Sequence, residues 1–153
     1  MAADVDLTRS AVEELDSVRR YLLQNPDPEA LDLLMGVFGD GNGHGVYQLV
    51  EDVIAAYDRN RVIPLLGKKI ETGCRSVRYW CTQIALGYPD ERVIDALRRN
   101  LDPNDYDLRF FTIAALDGIG TARAQDVLAS WLPEEADPQL RELTLEALRK
   151  SGR

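Results

Sequence analysis

Residues 77–97 read Val77-Arg78-Tyr79-Trp80-Cys81-Thr82-Gln83-Ile84-Ala85-Leu86-Gly87-Tyr88-Pro89-Asp90-Glu91-Arg92-Val93-Ile94-Asp95-Ala96-Leu97, and the pattern returns at a step of 31 residues on either side. Val77 is answered by Val46 and Leu108, Tyr88 by Tyr57, and Gly87 by Gly118. Arg92-Val93-Ile94 repeats Arg61-Val62-Ile63, Arg123 follows at the next step, and Leu66, Leu97 and Leu128 close three units. A fixed period of this size marks a stack of like units, each too small to bury its own apolar face and so dependent on its neighbours. Such stacks make surfaces for holding partners more often than they make active sites.

Outward from that stretch the chain reads as helical throughout. Strand-like alternation is absent, and Gly and Pro fall between the periodic stretches. In each unit a first helix carries an apolar stripe and a second returns antiparallel. Unit one pairs Val46–Tyr57 with Arg61–Ile70, unit two Val77–Leu86 with Glu91–Leu101, and unit three Leu108–Leu116 with Ala122–Leu132. A fourth first-helix, Gln139–Lys150, follows at a step of 32. Leu49, Trp80, Phe111 and Leu143 form one column, expected in the core. Asp102-Pro103 and Asp137-Pro138 suit turns that start helices. Residues 1–45 do not repeat. They predict a helix over Leu7–Gln24 with Leu7, Ala11, Leu15, Val18 and Leu22 on its inner face. A second helix begins near Glu29, striped by Leu31, Leu34, Met35 and Phe38, and is followed by the glycine-rich break 39–45.

The 153 residues predict a single domain over 1–153, with residues 1–45 as capping helices and 46–150 as repeats. That length supports a core without disulfide or metal staples. The net charge of −8 and the isoelectric point near 4.7 oppose general nucleic-acid binding, which needs a basic patch, and suit a basic protein partner. The start of the chain is acidic where a signal peptide would be basic and then apolar, and no apolar run approaches about 18 residues. The cytoplasm is the expected location. Cys74 and Cys81, seven residues apart on a helix, would lie about 10 Å apart along the axis, beyond disulfide reach. With no His or Cys beside them, zinc is not expected.

Several constellations invite chemistry. Asp40, Asn42, His44, Gly45 and Glu51 approach the spacing of a calcium loop. Imidazole at His44 is a poor calcium ligand, so the segment reads as an interhelix turn. His44 is the only histidine, and no nucleophile motif surrounds it. Cys81 falls on the apolar side of its helix, as filler. No catalytic residue, cofactor or metal is expected.

Two arginine columns recur, Arg78/Arg109/Arg141 and Arg61/Arg92/Arg123. They read as ties to carbonyls or to acids such as Asp95 and Asp126, holding the stack together. The other reading is a phosphate-gripping track, as in HEAT-like DNA glycosylases, which the overall acidity opposes. Tyr79 and Phe110 are equivalent positions. They read as packing between repeats, and if exposed they would join Trp131 as candidate interface anchors.

The helix openings Val77-Arg78, Leu108-Arg109 and Leu140-Arg141 and the short turn 86–90 resemble the short HEAT-type repeats over about residues 46–150. That resemblance implies an all-α, right-handed solenoid (an α-α superhelix) of about three and a half two-helix repeats. Residues 31–58, LDLLMGVFGDGNGHGVYQLVEDVIAAYD, resemble the opening of small helical immunity proteins of bacterial polymorphic-toxin systems. Phe38-Gly39-Asp40 matches their turn, and Val46, Val50, Ile54, Tyr57 and Asp58 match the helix after it. Tyr79-Trp80…Ile84 is also similar. The chain departs from that family at Asp52-Val53-Ile54-Ala55, where His-Phe-Ile-Glu is usual. The resemblance implies a protein that binds and neutralises a cognate toxin, possessing no catalysis of its own. A generic adaptor or assembly factor and a nucleic-acid-acting HEAT-like enzyme are the alternatives. Second helices usually line the concave face of such solenoids, which makes Lys68, Glu71, Arg92, Asp95, Arg99 and Asp126 the candidate partner-binding residues.

Overall fold

The computed structural model describes residues 8–41 and 45–150. Thr8 starts the first helix, its hydroxyl accepting the Ala11 N–H at 3.2 Å. Helix α1 then runs Arg9–Gln24, and α2 is the short Ala30–Leu34. The repeats follow as α3 (Val46–Ile54) with α4 (Arg59–Thr72), then α5 (Arg75–Ala85) with a 3₁₀ turn Glu91–Val93 leading into α6 (Ile94–Arg98). Next come α7 (Tyr106–Ile119) with α8 (Ala122–Trp131), and finally α9 (Pro138–Lys150). Among the described residues there is no strand. Asp58, Asp90, Asp105 and Thr121 each cap a helix or turn by accepting a backbone N–H with a side-chain oxygen.

The helices form two layers. The first helices α5, α7 and α9 pack side by side in sequence order, and α1 packs against α3, whose Tyr47 meets Trp80 of α5 edge-on at 5.5 Å. The second helices α4, α6 and α8 form the other layer. The repeat boundaries expected from the 31-residue step hold. The expected second helix Glu91–Leu101 is shorter, opening with the 3₁₀ turn and ending at Arg98.

The core lies between the layers and keeps the register. Leu66, Leu97 and Leu128 are fully buried, as are Val62 and Ala124 with Val93 beside them. The expected column is corrected by one residue. Leu49 is 40% exposed, Phe111 and Leu143 are half-buried, and only Trp80 is buried. The innermost column is Val50, Cys81, Thr112 and Thr144, each 0% exposed. The bulky column turns instead toward the seams between first helices, where Phe111 of α7 meets Tyr79 of α5 edge-on at 5.4 Å. The inner face of α1 is corrected too: Val18 is 46% exposed, and Arg19 turns inward to pair with Asp16 at 2.8 Å. The stripe expected after Glu29 holds, with Leu31, Leu34, Met35 and Phe38 all buried.

Candidate functional site

A chain of aromatic rings runs across the first-helix layer. Phe38, from the segment between α2 and α3, stacks on Trp80 of α5 at 5.7 Å and meets Tyr47 of α3 edge-on at 5.5 Å. Trp80 meets Tyr79 at 5.6 Å, Tyr79 meets Phe111 of α7 at 5.4 Å, and Phe111 meets Phe110 at 5.2 Å. Offset and edge-on contacts of this kind add to the burial each ring supplies. Phe38 thus wedges between α3 and α5, and the wedge leaves a groove above it.

That groove has a volume of about 620 Å³ and is bounded by Asp40, by Gln48 of α3, by Arg75, Ser76, Tyr79, Trp80 and Gln83 of α5, and by Asp107 of α7. A second groove, about 270 Å³, lies between α7 and α9, bounded by Phe110 and by Gln139, Glu142, Leu143 and Glu146. These are one groove repeated two units apart. The repeat carries Ser76, Tyr79, Trp80 and Gln83 onto Gln139, Glu142, Leu143 and Glu146, and Gln48 onto Phe110. Phe110 is 38% exposed and Tyr106, beside it, 41%, so the second groove offers ring edges to solvent. Tyr106 donates its hydroxyl to Gln139 at 3.1 Å.

At the α7 side of the first groove, Arg75 reaches Asp105 with bonds of 2.8 and 3.0 Å and lies 3.5 Å from Asp107, while its guanidinium sits 5.7 Å from the Tyr79 ring centre. The hydrogen bonds to Asp105 raise Arg75 above its ordinary value. Burial pushes the Asp105 carboxyl up, but the Arg75 bond and the Leu108 N–H together outweigh it and leave the group below its usual value. At the rim of the first groove, the Ser76 hydroxyl donates to Asp40.

The second-helix side has a different character. Lys68, Glu71, Arg92, Asp95, Arg99 and Asp126 are all exposed there. Most are already paired within the protein: Arg99 with Glu71 at 2.5 Å, Lys68 with Asp32 at 3.4 Å, and Asp95 with Arg123 at 2.6 Å. Arg92 turns to Asp90 at 2.8 Å. The position one step before Asp95 is Pro64, so Arg92 has no acid in the neighbouring unit to meet. Asp126 makes no ion pair among the described residues. A smaller hollow of about 290 Å³ on this side is lined by Arg98, Leu101, Val127, Ser130 and Trp131.

The other arginine column ties the stack, as expected, but to partners the sequence did not single out. Arg78 reaches Asn100 at 2.9 Å and the Arg99 carbonyl at 3.1 Å; Arg141 reaches the Leu132 carbonyl at 2.8 Å. Arg109 bonds the Asp102 carbonyl at 2.9 Å, and the Pro103 carbonyl, and pairs with buried Glu135. The guanidinium groups of this column are thus occupied by helix ends, loop carbonyls and Glu135.

Cys81 is wholly buried, and burial raises its thiol to about 12, so it is inert filler; Cys74 is exposed. In the candidate ion loop, Asn42 and His44 lie outside the described residues. Desolvation, then the neighbouring Asp52, raise the Glu51 carboxyl above its usual value. Among the described residues no group of three His, Cys, Asp or Glu side chains is placed to hold a metal ion. No helix among them is long and apolar enough to cross a membrane.

Residues 63–149 match the family model for HEAT repeats. The chain belongs to the HEAT repeat family. HEAT repeats are protein-interaction units and generally serve as non-catalytic scaffolds. In this HEAT repeat protein the match covers α5 to α8, nearly all of α9 and most of α4. Residues 31–58, which carry the immunity-protein resemblance, fall before it. No curated protein matches the chain.

Proposed function

We propose that this HEAT repeat protein is a non-catalytic binding module that holds and covers part of another protein, and that it acts in the cytoplasm as an immunity protein against a cognate bacterial toxin. The observation that carries the binding reading is the pair of register-equivalent grooves on the first helices, with exposed ring edges and carboxylates on a rigid stack. Aromatic side chains dominate the energetics of protein interfaces, and a preformed surface lowers the ordering cost of association. The immunity reading draws on the likeness of residues 31–58 to that family's opening. The net charge of −8 also suits a basic toxin such as a nuclease. Neutralisation would work by occlusion.

The competing surface is the second-helix set Lys68, Glu71, Arg92, Asp95, Arg99 and Asp126. Its use by a partner requires ion pairs such as Arg99–Glu71 to be opened or shared.

The reading is tested by capturing partners of the tagged protein from its source cells and expressing the captured partner alone. Immunity predicts a stoichiometric partner that arrests growth alone and is tolerated when the two are co-expressed. A harmless partner removes immunity and leaves the binding module. No stoichiometric partner, in cells where its gene is expressed, removes both.

A further inference from the structure

We infer that the face formed by α8 and α9 at the open end of the stack docks an amphipathic helix of the partner. That helix takes the place a further second helix would take, and an arginine or lysine in its first turn pairs with Asp126. This rests on the reading of the protein as a binding module and gives it a contact separate from the grooves.

The first argument is what the register leaves uncovered. Gln125, Leu145 and Leu148 correspond to Ile94, Ile113 and Leu116 of the preceding helices. Those three are 0% exposed, where α7 and α8 pack on α6 and where α8 and α9 pack on α7. Gln125, Leu145 and Leu148 are only half-buried, and past α8 and α9 the described residues hold no further element. Each unit of such a stack relies on the next to bury its apolar face, so these positions mark a face that another helix completes.

The second argument is charge, and it says which helix fits. Along the second layer every ion pair between elements takes its acid from the earlier element and its base from the later one. Lys68 and Lys69 of α4 reach back to Asp32 of α2 at 3.4 and 3.2 Å. Arg99, at the end of α6, reaches Glu71 of α4 at 2.5 Å, and Arg123 of α8 reaches Asp95 of α6 at 2.6 Å. Asp126 is the repeat of Asp95, one step of 31 residues on. It is exposed and makes no ion pair among the described residues. The next base in the series therefore comes from the occupant. Arg123 is the second residue of α8, which places that base in the occupant's first turn. An exposed pair of this kind adds little affinity but fixes orientation and partner choice.

The third argument is Gln125. Both polar atoms of its amide are buried without a hydrogen-bond partner, at the position where earlier units place Ile63 and Ile94. A buried amide left unpaired is costly, and a finished stack has isoleucine there. The glutamine suits a face that another protein's polar group completes, which favours a partner's helix over a second copy of this chain.

The test uses the full chain and a fluorescein-labelled peptide copying residues 121–132, because α8 already covers α6 and α7 in the manner inferred. Binding is read by fluorescence polarisation, and circular dichroism confirms that each variant folds. Asp126→Lys in the chain and Arg123→Glu in the peptide should each weaken binding about fivefold, and the two together should restore it to within about twofold. The residues that α8 buries, Ala124, Val127 and Leu128, are apolar, so Gln125→Ile in the chain should tighten binding of this peptide about fivefold. Glu13→Lys on α1 should leave binding within about twofold. No peptide binding, charge reversals that add rather than cancel, or indifference to Gln125→Ile would each overturn the inference. So would loss with Asp95→Lys but not with Asp126→Lys, since the peptide would then have displaced α8. A dimer in light scattering that Asp126→Lys dissociates would assign the face to a second copy and overturn it as well. A captured protein partner should bind less tightly to both Asp126→Lys and Gln125→Ile. If it ignores both, the inference fails and the binding-module reading stands, and if neither peptide nor protein binds, both fail.

Discussion

The Arg109 guanidinium lies 3.0 Å from the Glu135 carboxylate, and the two side chains are only 7% and 1% exposed. The nearest nitrogen, Nε, is not aimed for a hydrogen bond, so the pair is held by charge and by what surrounds it. Trp131 Nε1 and the Asp137 N–H each donate to Glu135 at 3.0 Å, and Arg109 also donates to the Asp102 and Pro103 carbonyls within the α6–α7 connection. Removing one member of such a pair strands a charge in a poorly solvated place, which costs about 3–5 kcal/mol. Arg109→Met and Glu135→Gln should each destabilise strongly in urea unfolding. The double variant should lose clearly less than the sum of the two. Strict additivity would show that the charges are not coupled.

Thr112 has a wholly buried side chain whose hydroxyl finds no partner. Its equivalents one unit and two units back are Cys81 and Val50, both 0% exposed, so the site already accepts a valine elsewhere in the stack. Thr112→Val should stabilise the protein by about 1 kcal/mol, because a desolvated polar group is replaced by a methyl of like shape. That corresponds to a rise in Tm of about 2–4 °C for a chain of this size. A lower Tm would mean that the hydroxyl is satisfied after all.

The column containing Thr112 also shows where the sequence stops being readable. The repeat, its boundaries and the buried second-helix leucines follow directly from spacing, because the same contact recurs in every unit. The depth of a position within the unit does not. Phe111 and Leu143 look like core by size, yet the wholly buried column is Cys81, Thr112 and Thr144, which look like filler or surface. Thr144 is legible only once its hydroxyl is seen returning to the Leu140 carbonyl at 2.8 Å. The arginine columns were readable as ties, but Asn100 and Glu135 lie outside the strict register and carried no periodic signal. The grooves were hidden for the same reason. Tyr79 and Phe110 stand out as a pair, whereas Gln48 and Glu142 share their column with no common chemistry.

The two cysteines should behave oppositely. Cys81 is 0% exposed with its thiol raised to about 12 by burial, while Cys74 faces solvent at the start of α5. A thiol reagent at pH 8 should modify one cysteine in the folded protein and two in denaturant. Mass spectrometry should locate the folded-state label at Cys74. Rapid labelling of Cys81 in the folded protein would show that the layers open locally.

Gly73 and Gly118 make a contrasting pair. A Cβ on Gly73 would meet the Lys69 carbonyl oxygen at 2.6 Å and Val77 Cγ1 at 2.7 Å, so the tight turn from α4 into α5 leaves no room for a side chain. Gly73→Ala should cost about 1–3 kcal/mol through overpacking. A Cβ on Gly118, inside α7, meets nothing within 4 Å. Gly118→Ala should gain about 0.5–1 kcal/mol from helix propensity and reduced chain entropy. Thermal melts should move in opposite directions, and a shared direction would contradict the geometry.

Arg92 holds the Asp90 carboxyl at about 2 against an ordinary value of 3.8, first through side-chain hydrogen bonds of 2.8 and 2.9 Å and then through its own N–H at 2.9 Å. Because the folded value lies below the unfolded one, the unfolded chain binds the extra proton as the medium acidifies. The stabilisation from this group is therefore complete above the unfolded value and is lost as pH falls from about 3.8 toward about 2. Asp90→Asn keeps a side-chain oxygen to cap the 3₁₀ turn and removes only the charge. The variant should melt below the parent at pH 6, and the gap should close by pH 2. The Arg92 side chain is 49% exposed, so solvent screens the pair and the gap should be small. Asp16, Asp32 and Asp105 are also lowered and shift both proteins together, so the difference in Tm is the quantity to follow. A gap that stays constant from pH 6 to pH 2 would show that Asp90 acts as a cap alone and that its pairing with Arg92 contributes nothing.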